Sequence, residues 1–216
     1  MGHSAMDARV EQLNHPLVRH HLKALRDASS PPSVFREQVR RLSVLLAVEA
    51  SRDLPLIDQE VATPMETTTV QQLRGRLALI PILRAGLGMV PAMLDMLPEA
   101  EVWHLGMYRD ESTSLPIEYY CKLPDHDPAD VAWILDPMLA TGGSICMALD
   151  ILKRWGVRDI RILSLLGTPE GIAQVHRQHP EVRIWVASID RKLNAANYIL
   201  PGLGDAGDRQ FNTLIR

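Results

Sequence analysis

Residues Ile134-Leu-Asp-Pro-Met-Leu-Ala-Thr-Gly-Gly-Ser144 decide the fold of this chain. They continue an apolar run that begins at Val131, and a second apolar segment with helical spacing begins directly after them at Ile145. This order predicts a buried strand, a tight loop and the first turn of a helix. In a parallel sheet such a junction lies at the carboxyl ends of the strands, where ligands bind.

The loop has the composition of an anion site. The amides of Gly142, Gly143 and Ser144 fall at a helix start, where unpaired N–H groups and the helix dipole favour a phosphate. The hydroxyl of Thr141 adds a donor, and Asp136 is placed for sugar hydroxyls or for a metal carried by the ligand. A capped helix start in which the glycines only make a turn is the alternative, and the local pattern leaves both open.

Two other nucleotide-binding loops do not fit. The chain contains no Gly-x-x-x-x-Gly-Lys-Ser/Thr sequence, which excludes a P-loop. Gly202, Gly204 and Gly207 do form a Gly-x-Gly-x-x-Gly pattern. Only nine residues follow Gly207, too few for the helix and strand of a dinucleotide fold.

Predicted strands and helices alternate along the chain. Strands are predicted at 77–83, 101–107, 131–135, 160–167 and 182–189, and helices at 16–27, 35–46, 89–97, 145–156 and 169–179. Such alternation predicts an α/β fold with a doubly wound, mostly parallel sheet. Residues 109–124 suggest a projecting β-hairpin arm. We expect one domain over residues 1–216, with residues 1–6 as a remnant of cloning outside the fold.

Composition limits the classes of function. A hydrophobic fraction of 46% supplies a sizeable core, and 23% charged residues is ordinary for a soluble chain. A net charge of −3 gives no general attraction to nucleic acid or to a membrane. Two cysteines are too few for a disulfide framework, and we find no signal peptide, so the cytoplasm is the expected location.

Two further segments carry candidate chemistry. Arg84 follows the predicted strand 77–83 in a turn with Gly86 and Gly88, which permit backbone close to a ligand. Its guanidinium suits pyrophosphate oxygens, although a surface ion pair is the alternative. The tail 199–209 has too many glycines for a helix or a strand, and it suits a rigid folded loop better than a frayed end.

These segments together resemble one family. The strand–Asp–loop pattern is similar to the phosphoribosyl pyrophosphate (PRPP) loop of type I phosphoribosyltransferases, and Asp136-Pro137 resembles the uracil phosphoribosyltransferase branch. Residues 80–88 resemble the pyrophosphate loop of that branch, 108–110 with 118–120 its flexible arm, and 198–209 its C-terminal base-binding hood. The resemblance runs in order from about residue 14 to the end of the chain.

The resemblance implies conversion of uracil and PRPP to UMP and diphosphate in pyrimidine salvage. It assigns catalytic roles to Arg84, Arg109, Asp136 and Asp205. It assigns PRPP binding to Arg84, Arg109, Asp205 and the loop residues Asp136, Pro137, Met138, Leu139, Ala140, Thr141, Gly142, Gly143 and Ser144. It assigns uracil contacts to Ile199, Gly204, Asp205 and Ala206.

The resemblance also implies partners. Mg²⁺ is expected to arrive on PRPP, with Asp205 as the nearest protein group, and a homo-oligomer and a GTP effector are further expectations. A transferase for a purine or for orotate is an alternative, which Pro137 and the Gly204-Asp-Ala206 stretch disfavour. A regulator that binds RNA or DNA is another alternative, and it would need a basic face that no basic run supports.

Overall fold

The computed structural model describes residues 9–109 and 116–213, and only the backbone at 108, 109 and 116. The strands are β1 (Val10–Gln12), β2 (Leu56–Ala62), β3 (Thr67–Leu73), β4 (Leu77–Leu83), β5 (Glu101–Val102), β6 (Leu105–Arg109), β7 (Pro116–Cys121), β8 (Val131–Leu135), β9 (Met138–Leu139), β10 (Asp159–Gly167), β11 (Arg183–Ile189), β12 (Lys192–Leu193) and β13 (Ile199–Leu200). The helices are α1 (Pro16–Arg26), α2 (Pro32–Ala50), α3 (Val90–Met96), α4 (Gly143–Trp155), α5 (Pro169–Gln178) and α6 (Ala206–Phe211), with a 3₁₀ turn at Ala85–Gly88.

A nine-stranded sheet forms the centre of the molecule. Its order is β1-β11-β10-β8-β4-β6-β7, with β5 added to β4 and β9 added to β10. All neighbours in it run parallel except β7, which is antiparallel to β6. This arrangement confirms the predicted α/β class with a mostly parallel sheet.

Helices cover both faces of the sheet. The side chains of α1, α2 and α3 form one apolar core with Leu79, Trp133 and Leu163. Those of α4 and α5 form a second core with Ile80 and Ile134 on the opposite face. Successive residues of β4 and β8 point alternately into the two cores. Both strands are therefore apolar along their length, as is typical of parallel strands buried on both faces.

The predicted arm is an antiparallel pair. Strands β6 and β7 pair from Leu105 opposite Cys121 to Arg109 opposite Pro116, with a register shift between Gly106 and Met107. The tip of this arm, residues 110–115, lies outside the described residues.

Two regions differ from the sequence-based expectation. Strands β2 and β3 form a separate antiparallel hairpin that is absent from the predicted elements. The β-branched run Thr67–Val70 favours a strand there. The tail is not only a loop, since β12 pairs with β13 and residues Ala206–Phe211 are helical. So short a helix depends on tertiary contacts that local patterns do not reveal.

Within the two described ranges, the helices are all too short or too polar to cross a membrane.

Candidate active site

The loop between β8 and α4 is held rigidly by its neighbours. Met138 and Leu139 pair with β10, so part of the loop is itself a strand. Gly142 has a φ of +82°, and a Cβ there would lie 2.8 Å from the carbonyl oxygen of Gly171. Both the left-handed backbone and the contact with α5 therefore require glycine.

Thr168, the capping residue directly before α5, holds the loop through hydrogen bonds. Its hydroxyl donates to the carbonyl of Ala140 at 2.6 Å and accepts from the amide of Gly171 at 3.0 Å. Nothing in the sequence singled out this threonine, although its place directly before Pro169 is a typical helix cap.

The loop encloses a hollow of about 30 Å³ at the start of α4. Its lining residues are Asp136, Met138, Leu139, Ala140, Thr141, Gly142, Gly143, Ser144 and Ile145. Eight of the nine loop residues predicted to bind PRPP thus border one hollow. The ninth, Pro137, is buried and does not line it. The first amides of a helix have no partner within it, so this hollow can accept an anion.

Asp136 is the acid of this loop, and its pKa is raised. Burial raises its pKa to about 6, and the hydrogen bond from the amide of Met138, at 3.1 Å, opposes that rise in part. Protein surrounds the carboxyl densely, although the residue keeps some solvent-accessible surface at the hollow. A desolvated carboxylate at a strand end is suited to accept hydrogen bonds from a ligand.

A second cavity of about 410 Å³ adjoins the hollow. It shares Met138, Ala140 and Ser144 with the loop, and on the opposite side the tail supplies Tyr198, Ile199, Gly204, Asp205, Ala206 and Gly207. The structure thus brings all four predicted uracil contacts to the wall of one cavity. Met107, two residues before Arg109, also lines it, so the arm begins at its edge.

An ion pair that the sequence did not predict fixes the tail. Both nitrogens of the Arg26 fork donate to the carboxylate of Asp190, at 2.6 and 2.7 Å, and one also donates to the carbonyl of Gly202 at 2.9 Å. Asp190 in turn accepts from the amide of Gly202 at 2.9 Å. Gly202 has a φ of +64°, with its Cβ position 2.1 Å from the carbonyl oxygen of Ile199, so the turn cannot accommodate a side chain.

Two residues of α6 complete this anchorage. Arg209 donates to the carbonyls of Leu25 and Leu203, at 2.7 and 2.8 Å, and its guanidinium lies 4.6 Å from the centre of the Phe35 ring. Gln210 is buried and donates to the carbonyl of Ala85 at 3.2 Å. The tail is therefore a packed element and not a frayed end.

The side chain of Arg84 is half-exposed and forms an ion pair within the protein. Its Nη2 lies 3.0 Å from Oδ1 of Asp208, the ion pair that was the alternative expectation. The neighbouring glycines also serve packing. A Cβ at Gly86 would lie 2.3 Å from the carbonyl oxygen of Leu135, and one at Gly88 would lie 1.7 Å from the Gln210 side chain. Close approach to protein, and not only to a ligand, thus explains both glycines.

Two predicted features are less defined. The backbone of Arg109 ends β6, and its side chain lies outside the described part of the chain. Among the described residues no three His, Cys, Asp or Glu side chains form a metal-binding group.

A doubly wound sheet with an anion-type loop at the β8–α4 junction and a second cavity beneath a C-terminal hood defines a type I phosphoribosyltransferase. A hypoxanthine phosphoribosyltransferase from Staphylococcus aureus shares this fold, with a TM-score of 0.50 and 13% identity over 73% of this chain and 76% of that one. The chain belongs to the uracil phosphoribosyltransferase family, whose model matches residues 12–213.

Individual relatives agree with this assignment. The uracil phosphoribosyltransferase of Thermoanaerobacter sp. (strain X514) is 50% identical over 209 residues, covering 96% of this chain and all of the relative. That of Roseiflexus sp. (strain RS-1) is 51% identical over 206 residues, covering 95% and 99%. A solved structure from Aquifex aeolicus has a TM-score of 0.91 and 33% identity over 96% of this chain and all of that one. The resemblance found in the sequence is confirmed.

Proposed function

We propose that the protein transfers the 5-phosphoribosyl group of PRPP to N1 of uracil, giving UMP and diphosphate. The observation that carries the proposal is the shared wall formed by Met138, Ala140 and Ser144. A phosphate in the hollow and a base in the larger cavity would be the two ends of one nucleotide.

The PRPP loop would hold the 5′-phosphate and the ribose. Amides of Gly142, Gly143 and Ser144 would donate to phosphate oxygens, and the carboxylate of Asp136 would accept from ribose hydroxyls. Held at both ends, the anomeric carbon would lie in line between the base and the leaving group. Positive charge from Arg84 and Arg109 would stabilise the departing diphosphate.

Backbone groups of the hood would select the base. Uracil presents an acceptor, a donor and an acceptor along O2, N3–H and O4, whereas cytosine reverses the last two. Amides and carbonyls around Ile199, Gly204 and Ala206, fixed by the anchors of the tail, would leave cytosine with unpaired polar groups.

Mg²⁺ fits the acids of this site. Asp205 is exposed at the cavity wall and accepts from the amide of Asp208 through one oxygen, at 2.8 Å, so a carboxylate oxygen is available as a hard ligand. The ion, carried by PRPP, would neutralise charge on the diphosphate. We assign Asp205 as the protein residue that contacts it.

The test is product formation with PRPP, Mg²⁺ and a panel of free bases. Uracil and 5-fluorouracil should be converted, because the substituent leaves O2, N3–H and O4 intact. Cytosine should be slower by a factor that corresponds to about 2–6 kcal/mol, the cost of two unsatisfied buried groups. Comparable turnover of cytosine and uracil would overturn readout by the backbone, and turnover of purines alone would overturn the proposed function.

We also propose that two copies of the chain associate through the β2–β3 hairpin. These strands pair with each other and with no other strand of the described residues. The hairpin exposes Leu56, Ile57, Met65, Val70 and Leu73. An isolated two-stranded ribbon is marginally stable, and its apolar side chains supply the anchors of an interface. Ile57→Lys should convert a dimer to a monomer in sedimentation velocity, and a monomeric unmodified protein would overturn the proposal.

GTP activation is a further expectation of the family resemblance, and the cytoplasm is the location expected from the sequence. The two cysteines are unpaired, as a reducing compartment allows. Turnover measured with and without GTP tests the effector, and fractionation of cells tests the location.

A further inference from the structure

Asp208 lies outside the set of residues that the resemblance assigns, yet it contacts two of them. We propose that Asp208 is a positioning residue that fixes Arg84 beside the base cavity for contact with the diphosphate. This inference rests on the proposed function and deepens it.

The carboxylate of Asp208 organises a three-residue contact. Its Oδ1 accepts from Nη2 of Arg84 at 3.0 Å and from the hydroxyl of Thr213 at 2.7 Å. Nη1 of Arg84 also donates to that hydroxyl, at 3.4 Å. Arg84 is thus held at two nitrogens, although its side chain is 55% exposed and would otherwise be mobile.

The backbone of Asp208 reaches the other side of the site. Its amide donates to Oδ1 of Asp205 at 2.8 Å. One residue therefore holds Asp205 through its main chain and Arg84 through its side chain.

Gly207 shows how close these groups lie to the cavity. A Cβ at Gly207 would be 3.3 Å from Oδ1 of Asp205, 3.8 Å from Nη2 of Arg84 and 3.9 Å from Cβ of Ala85. Gly207, Asp205 and Ala85 all line the larger cavity. The guanidinium therefore lies next to residues of the cavity wall, and a diphosphate on the ribose would meet it there.

This arrangement determines what the ion pair does. A guanidinium has five N–H donors, so the contacts to Asp208 and Thr213 leave donors for diphosphate oxygens. Because its orientation is fixed before the ligand arrives, less conformational entropy is lost on binding.

The substitution that tests the proposal is Asp208→Asn. It keeps the shape of the side chain and the hydrogen bond from the backbone amide of residue 208 to Asp205. We expect the Michaelis constant for PRPP and the inhibition constant of diphosphate to rise about tenfold, the scale of one lost charge-assisted contact. Binding of UMP, which carries no diphosphate, should stay within about twofold. Equal weakening of UMP and diphosphate would overturn the proposal, because a merely structural role predicts that result.

A double-substitution cycle shows whether Asp208 acts through Arg84. If it does, Asp208→Asn should add nothing to the diphosphate affinity already lost in Arg84→Ala, and additive losses would overturn the proposal. The matched control is Asp95→Asn, which breaks an exposed ion pair with Arg40, at 2.7 Å, outside both cavities. It should leave every constant unchanged.

Two measurements keep the outcomes separate. If Asp208→Asn lowers the melting temperature, Thr213→Val removes the brace on the carboxylate and should give a smaller shift in the same direction for diphosphate alone. No shift would overturn the proposal. Turnover of uracil by the unmodified protein in the same assay tests the proposed function, so its failure is distinct from failure of the Asp208 role.

Discussion

At the scale of single residues, the site contains an ionisable side chain whose surroundings disfavour its charged form. This side chain is Asp136, because its carboxyl is desolvated and its direct hydrogen bond comes from one amide. The chain accepts this unfavourable environment where a ribose is expected to bind. Sites of this kind often trade stability for activity.

Asp136→Asn should therefore stabilise the ligand-free protein while weakening PRPP binding. The pKa of about 6 in the folded protein lies above the ordinary aspartate value of 3.8, so the contribution of this group to stability is complete below pH 4 and is lost as the pH rises through 6. Above pH 7 the charged carboxylate costs about 3 kcal/mol. Urea unfolding at pH 8 should show a gain of ~1–3 kcal/mol for the variant, shrinking towards pH 5.

The exposed Asp125, outside the hollow, supplies the control for that experiment. Asp125→Asn should leave the free energy of unfolding at pH 8 unchanged. A variant Asp136→Asn that is less stable than the unmodified protein at pH 8 would contradict the desolvation argument.

The two arginines assigned to the leaving group should differ kinetically. Arg84 is fixed by Asp208 and should act in both ground and transition states, so Arg84→Ala should raise the Michaelis constant for PRPP and lower kcat. Arg109 belongs to the arm, and Arg109→Ala should chiefly lower kcat. We expect kcat/KM to fall by about ten- to a hundredfold in each. Steady-state kinetics with varied PRPP would measure this, and near-normal values for both variants would contradict the assignment.

At the scale of elements, helix α4 has a left-handed glycine at each end, with different consequences. Gly142 directly precedes the helix in the loop after β8, and Gly156, with a φ of +109°, directly follows it beside Pro128. Both positions need glycine for the same backbone reason. Only the first borders the hollow.

Gly142→Ala and Gly156→Ala form a matched pair. Each should lower the free energy of unfolding by about 1–3 kcal/mol, because a Cβ is strained at positive φ. Only Gly142→Ala should also weaken PRPP binding, since its Cβ would press on Gly171 and displace the loop. Calorimetric titration with PRPP on the folded variants would separate the two effects. Equal PRPP affinity in both would indicate that the loop is only a helix start.

At the scale of the whole molecule, contacts between distant parts of the chain build the side of the site that we propose to bind the base. The Arg26–Asp190 pair joins residues 164 positions apart, and the Asp190 side chain is only 3% exposed. A buried ion pair is costly to break at one partner, because the other charge is then left uncompensated.

Arg26→Ala should destabilise the protein by about 3–5 kcal/mol and raise the Michaelis constant for uracil more than that for PRPP. The reason is that Asp190 and Gly202 would lose the residue that fixes the hood. Arg26→Lys should rescue little, since lysine cannot form the two-pronged contact. Arg19→Ala, on the exposed face of the same helix, is the control. Uracil kinetics unchanged by Arg26→Ala would contradict this role.

The sequence by itself determined the fold class and the family, and it predicted the anion-binding loop. These features are local. Strands buried on both faces are apolar throughout, and a left-handed backbone directly before a helix favours glycine. Each feature is therefore visible within a few neighbouring residues. It also placed the hood residues, but only through resemblance.

Tertiary structure alone decided how the hood is held, why Gly86 and Gly88 are required, and which acid holds Arg84. It also decided that a six-residue helix forms at Ala206–Phe211, and that β2 and β3 pair as a separate hairpin. The physical reason is the same throughout. Contacts such as Arg26 to Asp190 and Arg84 to Asp208 depend on distance in space, which local periodicity and composition do not encode.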